Sequence, residues 1–248
     1  LNPPSESADA MSYYKDIYND YPLRCGKLWS RMRRHAEQEK LDVTFMLMAA
    51  SGGLVAPWEH LKTNDLGSSQ EDRHPSFTPG NDEHYTAVLS NVQKQLQAKL
   101  GSSSFFKHLN LGRWRLRILE NRSQIIGFLE TPDDSIGIPL EFTSAGPLIS
   151  VFRNALAHNN FHAFNRTRAP EIDEIAFFSE HRGETNPTTG RKPLIGYKVI
   201  SMPHTDFAAF LDAWFKLLES IRADKEHLRK VLIHVFQMET DEKEDHGL

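Results

Sequence analysis

At 248 residues, 39% hydrophobic and 25% charged, the chain is long and mixed enough for one large globular domain, or a domain with an insertion. Its net charge of −4 excludes a broad, sequence-blind polyanion binder. It leaves room for a local cation cluster, and Arg153, Arg166, Arg168, Arg182 and Arg191 fall within forty residues. The single Cys25 rules out an internal disulfide, carries no zinc-ligand spacing, and fits a reducing, cytoplasmic setting.

Residues 1–11, with Pro3 and Pro4, read as a flexible leader. They lack the basic and apolar regions of a signal peptide. A first helix is expected after Ser12, with Leu28, Met32 and Ala36 at helical spacing. Its polar positions are rich in cations, Arg24, Lys27, Arg31, Arg33 and Arg34 among them, which reads as a solvated face. Leu41-Asp42-Val43 opens a strongly apolar helix reaching Trp58, bent near Gly52, Gly53 and Pro57. That run is too short and too interrupted to cross a membrane.

Residues 63–82, with Gly67, Ser68, Ser69, Pro75, Pro79 and Gly80, read as a loop insertion. Asp82 then caps a helix running to Leu100, with Tyr85, Val88, Leu89, Val92 and Leu96 on one face and Gly101 as its stop. Trp114, Leu116, Ile118 and Leu119 begin a segment read as helical to about Leu129. Thr143 or Ser144 caps the next helix, with Pro147 near its first turn.

After that helix the period changes from about 3.6 to 2. Residues about 171–179 and 194–201 predict a β-hairpin with a long polar tip holding His181, Arg182, Arg191 and Lys192. A helix follows Pro203, with Phe207, Phe210, Leu211, Trp214, Leu217, Leu218 and Ile221 on one wide face. A last helix is expected over 224–238, then an acidic tail over 239–248. The expected fold is mainly α, a single domain over residues 12–238 with the 63–82 loop and the 171–201 hairpin inserted.

The chemistry concentrates on the helix capped at Thr143 or Ser144. Leu148, Ile149, Phe152 and Leu156 make its core stripe. Arg153 and His158 differ in direction by about 140° on an ideal helix and so flank its polar side. Asn154 lies between them, four residues before His158. A guanidinium grips phosphate oxygens with a two-pronged fork, and an imidazole exchanges protons near neutral pH. Attack of RNA's own 2′-hydroxyl on the adjacent phosphate needs only those two functions.

Arg153-Asn154-Ala155-Leu156-Ala157-His158 resembles the Arg-(polar)-x-x-x-His signature of HEPN domains, all-helical proteins that include many metal-independent RNases. The resemblance implies a bundle of four or five helices and a homodimer that sets two such helices face to face. It implies Arg153, Asn154 and His158 as catalytic residues. RNA is the implied partner, an antitoxin or regulator a further one, in phage defence or a toxin-like response. Arg166, Arg168, Arg182 and Arg191 are the expected RNA contacts, and neither metal nor cofactor is expected. The alternative is a non-catalytic HEPN protein that binds RNA or nucleotide, or serves as a dimeric interaction module.

Other chemistries lack their motifs. There is no Walker loop, no strand–GxGxxG–helix unit and no Gly-x-Ser-x-Gly elbow. His158 and His162 are four apart, at metal-ligand spacing if the helix continues through both, but Asn159-Asn160 offers it an end before His162.

Overall fold

The computed structural model describes residues 17–63, 93–130, 144–165 and 171–220. The expected leader at 1–11, almost all of the 63–82 loop, the 224–238 helix and the acidic tail lie outside the described residues, as do Arg166 and Arg168.

Helix α1 (Ile17–Gln38) and helix α2 (Asp42–Thr63) form an antiparallel pair joined by a tight turn at Lys40, whose φ is 57°. The buried stripe of α1 runs through Leu23, Cys25, Trp29 and Ala36, so Leu28 and Met32, expected inside, are 56% and 41% exposed. Trp29 decides the rotation. Its ring stacks on Phe45 of α2 at 5.9 Å, and its indole N–H donates to Asp212 at 2.6 Å. Arg33 also donates to Asp212, at 3.2 Å, and to Glu37, which takes one cation of the basic row out of the solvated face.

Residues 93–97, α3, are the described end of the helix expected to finish at Leu100. A short 3-10 turn follows at Leu100–Ser102, and another at Leu111–Arg113. The segment expected to be helical from Trp114 instead opens with a strand, β1 (Arg115–Leu119), and becomes helical only at α4 (Gln124–Glu130). Trp114, Leu116 and Ile118 are two apart, and Arg115 and Arg117 alternate with them. That is a strand's period, and it outweighs the apolar content that suggested a helix.

Helix α5 (Ala145–Ala157) is followed by β2 (Phe161–Phe164), β3 (Glu174–Arg182), β4 (Leu194–Pro203) and a helix over 204–220, α6. The expected hairpin is present as β3 and β4, pairing Glu174 with Pro203 through Phe178 with Val199. It is the centre of a four-stranded antiparallel sheet ordered β1-β4-β3-β2, not an isolated insertion in a bundle. The architecture is a set of helices packed on that sheet.

The sheet has two apolar faces. Ile175, Phe177, Ile200 and Met202 face α5 and α6 in the main core. Ala176, Val199 and Leu119 point the other way, where α4 covers them with Ile125, Phe128 and Leu129. The main core is knit by aromatic rings around Phe152. Its ring lies 5.0 Å from Phe177, 5.2 Å from Phe207 and 5.0 Å from Phe210, all edge-on. Such pairs add stability beyond their buried area and fix orientation.

α6 presents the face expected for it: Phe207, Phe210, Leu211, Trp214, Leu217 and Leu218 are buried. Its start is tied down by polar contacts. Asp206, almost fully buried, pairs with Arg113, and His204 reaches Asp42 at 3.4 Å and the Asp173 carbonyl at 3.2 Å.

Candidate functional site

α5 begins at Ser144, whose backbone is extended (φ −69°, ψ 147°) and which lies in an antiparallel bridge to Lys99. Leu148, Ile149, Phe152 and Leu156 are all buried, as their spacing required. Because Phe152 is clasped by four other rings, those of Trp114, Phe177, Phe207 and Phe210, the helix has little freedom to rotate. Arg153, the next residue, is half-buried, and Asn154 beside it is half-buried too.

The helix stops one residue short of the imidazole. His158 is its C-terminal cap, with φ −113° and ψ 9°, and its N–H donates to the Asn154 carbonyl at 3.2 Å. Asn159 adopts φ 53°, in the left-handed region that asparagine tolerates better than most side chains. The Asn159 N–H then returns to Leu156 at 3.4 Å and the Asn160 N–H to Ala155 at 2.7 Å. This double return is a Schellman end, which satisfies carbonyls that the last turn would otherwise leave open. It also throws the chain into β2, where the Asn160 carbonyl accepts from Phe178 at 3.0 Å.

His158 is therefore exposed at the corner where α5 meets the sheet. Arg153 Nη1 donates to Asn154 Oδ1 at 2.7 Å. Asn154 thus meets Arg153 through its side chain and His158 through its main chain. A fixed guanidinium and an open imidazole border the same end of one helix, linked by the residue between them.

His162 does not continue that helix. It lies on β2, opposite Ala176, with its ring stacked on Phe164 at 5.6 Å. The helical His158–His162 geometry that would suit a metal is absent, because Asn159 turns the chain between them. Among the described residues, no three His, Cys, Asp or Glu side chains converge as a ligand set.

The hairpin cations divide. Arg182 is held by Glu180 on its own strand and donates to the Lys192 carbonyl at 3.2 Å, closing the base of the tip. Arg191 is exposed within the tip, where its N–H meets Thr189 Oγ1 at 3.4 Å. Arg182 lies four residues beyond Phe178, or about 13 Å along the strand, so the tip projects past the end of α5 instead of joining Arg153. His181 beside it is held below the usual histidine range, by burial first and the nearby Lys198 charge second.

Two positioning features were only partly readable from the residues. Asn159 and Asn160 suggested a helix end, but the left-handed turn that aims His158 outward needs the backbone to show it. The alternation Phe161-His162-Ala163-Phe164 carried the period of a strand in only four residues.

The sequence family described as HEPN pEK499 p136 matches residues 11–225. No curated protein and no solved structure matches the chain.

Proposed function

The chain belongs to the HEPN family, in its pEK499 p136 group, and from that premise we propose that it is a metal-independent endoribonuclease. The observation that carries this reading is the end of α5, where a half-buried Arg153 bound to Asn154 lies on the last turns of a helix capped by an exposed His158. Arg153 grips the scissile phosphate and stabilises the charge that builds on it in the transition state. Asn154 holds the guanidinium by its side-chain oxygen and so fixes its orientation. His158 takes the proton of the 2′-hydroxyl as general base, or returns one to the departing 5′-oxygen as general acid. The products are a 2′,3′-cyclic phosphate and a 5′-hydroxyl.

One imidazole fills one of those two proton-transfer roles. The second is filled by His158 of another copy in a homodimer whose α5 ends face each other across a two-fold axis. Such an enzyme endangers its own cell, which suits a role in phage defence or as the toxin of a pair restrained by an antitoxin. The hairpin tip, with Arg191, contacts the RNA backbone.

A second reading has its own support. The side-chain bond between Arg153 and Asn154 also describes a guanidinium with a structural task, which suits a non-catalytic module that binds RNA or nucleotide. Cleavage of labelled RNA with EDTA present separates the two. The nuclease reading expects cleavage by the intact protein and at least a hundredfold loss in both Arg153→Ala and His158→Ala. Cleavage that EDTA abolishes removes this mechanism, and no cleavage of any RNA supports the binding module.

A further inference from the structure

The second face of the sheet carries a feature that the catalytic end of α5 does not use. On this face α4 covers Ala176, Val199 and Leu119, yet the part nearest β2 keeps its rings accessible. His162 is exposed, and Phe164 and Phe178 are half-buried. His162 and Phe164, two apart on β2, are stacked and nearly parallel, 18° between ring planes and 5.6 Å between centroids. Phe178 is on the same face of β3, diagonal to His162, because His162 pairs with Ala176 and Asn160 meets Phe178. Over Phe178 stands the exposed Arg122, its guanidinium carbon 5.7 Å from the ring centre. The acidic neighbours are engaged: Glu180 by Arg182, and Glu174 by the Ser201 hydroxyl at 3.0 Å.

We propose that His162, Phe164 and Phe178, with Arg122 above them, form a stacking strip for the bases of single-stranded RNA. Flat rings and a guanidinium plane accept any base by its face, and a nearby permanent cation balances the phosphate charge. A solvated sheet face would favour charged or β-branched residues in these rows, not a parallel imidazole–phenyl pair. The position also fits the chemistry. His162 is only four positions beyond His158, no more than about 14 Å of chain, and β2 is the sheet edge around which a strand passes from this face to the end of α5. The strip rests on the nuclease reading for its choice of RNA, and it names that substrate as unpaired over the nucleotides flanking the cut.

The test uses the full chain and a labelled ten-nucleotide 2′-O-methyl oligouridylate, which binds but has no hydroxyl to attack. His162→Ala and Arg122→Gln are each expected to weaken binding about tenfold, the scale of one lost base stack. Arg31→Gln, which removes an exposed cation on α1, leaves binding unchanged and separates stacking from net charge. The same oligomer annealed to its complement binds at least tenfold more weakly. Both strip residues are exposed, so the variants keep the intact protein's circular dichroism. On cleavable RNA, His162→Ala raises KM. Wild-type affinity in both strip variants, no binding by the intact protein, or equal affinity for the duplex overturns the strip. Tight binding lost in the strip variants, from a protein that cleaves no RNA, sinks the nuclease reading and leaves the strip standing.

Discussion

Replacing Gly53 with alanine probes the crossing that supports the candidate site from below. Gly53 lies in α2, the helix that packs on α5, and its carbonyl accepts the buried Trp214 indole N–H at 2.7 Å. A Cβ there falls 2.4 Å from Phe215 Cε1 and 2.5 Å from Cζ. The ring cannot retreat freely, because its other side is pressed against Gly26 of α1, where a Cβ would come within 2.9 Å of Cδ1. Ordinary contact needs about 3.5 Å or more, so ring or backbone must shift by roughly 1 Å. Overpacking of this kind costs about 1–3 kcal/mol, with the close approach placing it at the upper end. Alanine's better helix propensity returns about 1 kcal/mol. The net expectation is a loss of about 1–2 kcal/mol, or a fall in Tm of about 2–8 °C for a chain of this size. Urea unfolding followed by circular dichroism measures it, and Phe215→Leu supplies the control. If the clash is the cause, Gly53→Ala costs at least about 1 kcal/mol less in the Phe215→Leu background than alone. A Gly53→Ala protein more stable than the parent refutes the account of this crossing.

The turn after His158 gives the next prediction: Asn159→Gly holds its stability within about 0.5 kcal/mol, whereas Asn159→Val, strained at φ 53°, loses about 1–2 kcal/mol by the same unfolding measurement. His181 is neutral in the folded protein at a pH where the unfolded chain is already protonated, because its pKa is lowered by burial and by Lys198. Stability therefore falls as the pH drops from about 6.5 towards its folded pKa; its ring resonances titrate below 6.5, and His181→Gln flattens that part of the profile. Cys25 is buried, and burial raises its pKa despite the opposing hydrogen bond to Tyr21. Its reaction with Ellman's reagent at pH 8 is at least tenfold slower in the folded protein than in urea, and equal rates would show the thiol to be accessible.

The wide face of α6 and the stripe of α5 were legible because each has four or more large apolar residues at helical steps, a pattern few other structures satisfy. The hairpin was legible from its period of two. What misled was composition without period. Trp114 to Leu129 is apolar enough for a helix, but its first five residues alternate, and a partner more than eighty residues away at Ser201 completes β1. No local signal announces that partner. Leu28 and Met32 failed as core residues for a related reason. Helical spacing was right, but the stripe one step round holds Trp29, whose large ring and indole N–H find Phe45 and Asp212. At the candidate site, Arg153, Asn154 and His158 could be named from residue type and spacing. That Asn154 turns to Arg153, and that His162 belongs to the opposite sheet face, depended on a left-handed residue at 159 and on the pairing of β2.

The pairing of β1 with β4 also governs when this molecule takes shape. Ser201 must have been translated before Arg115 finds its place, and the rings that clasp Phe152 come from residues 177, 207 and 210. A nascent chain that already contains Arg153 and His158 has α2 and Trp114 to pack on α5, but lacks the sheet and the α6 rings until some fifty further residues have been made. The corner that carries Arg153 and His158 is thus completed only by segments made after it, so its final packing is a late event in synthesis.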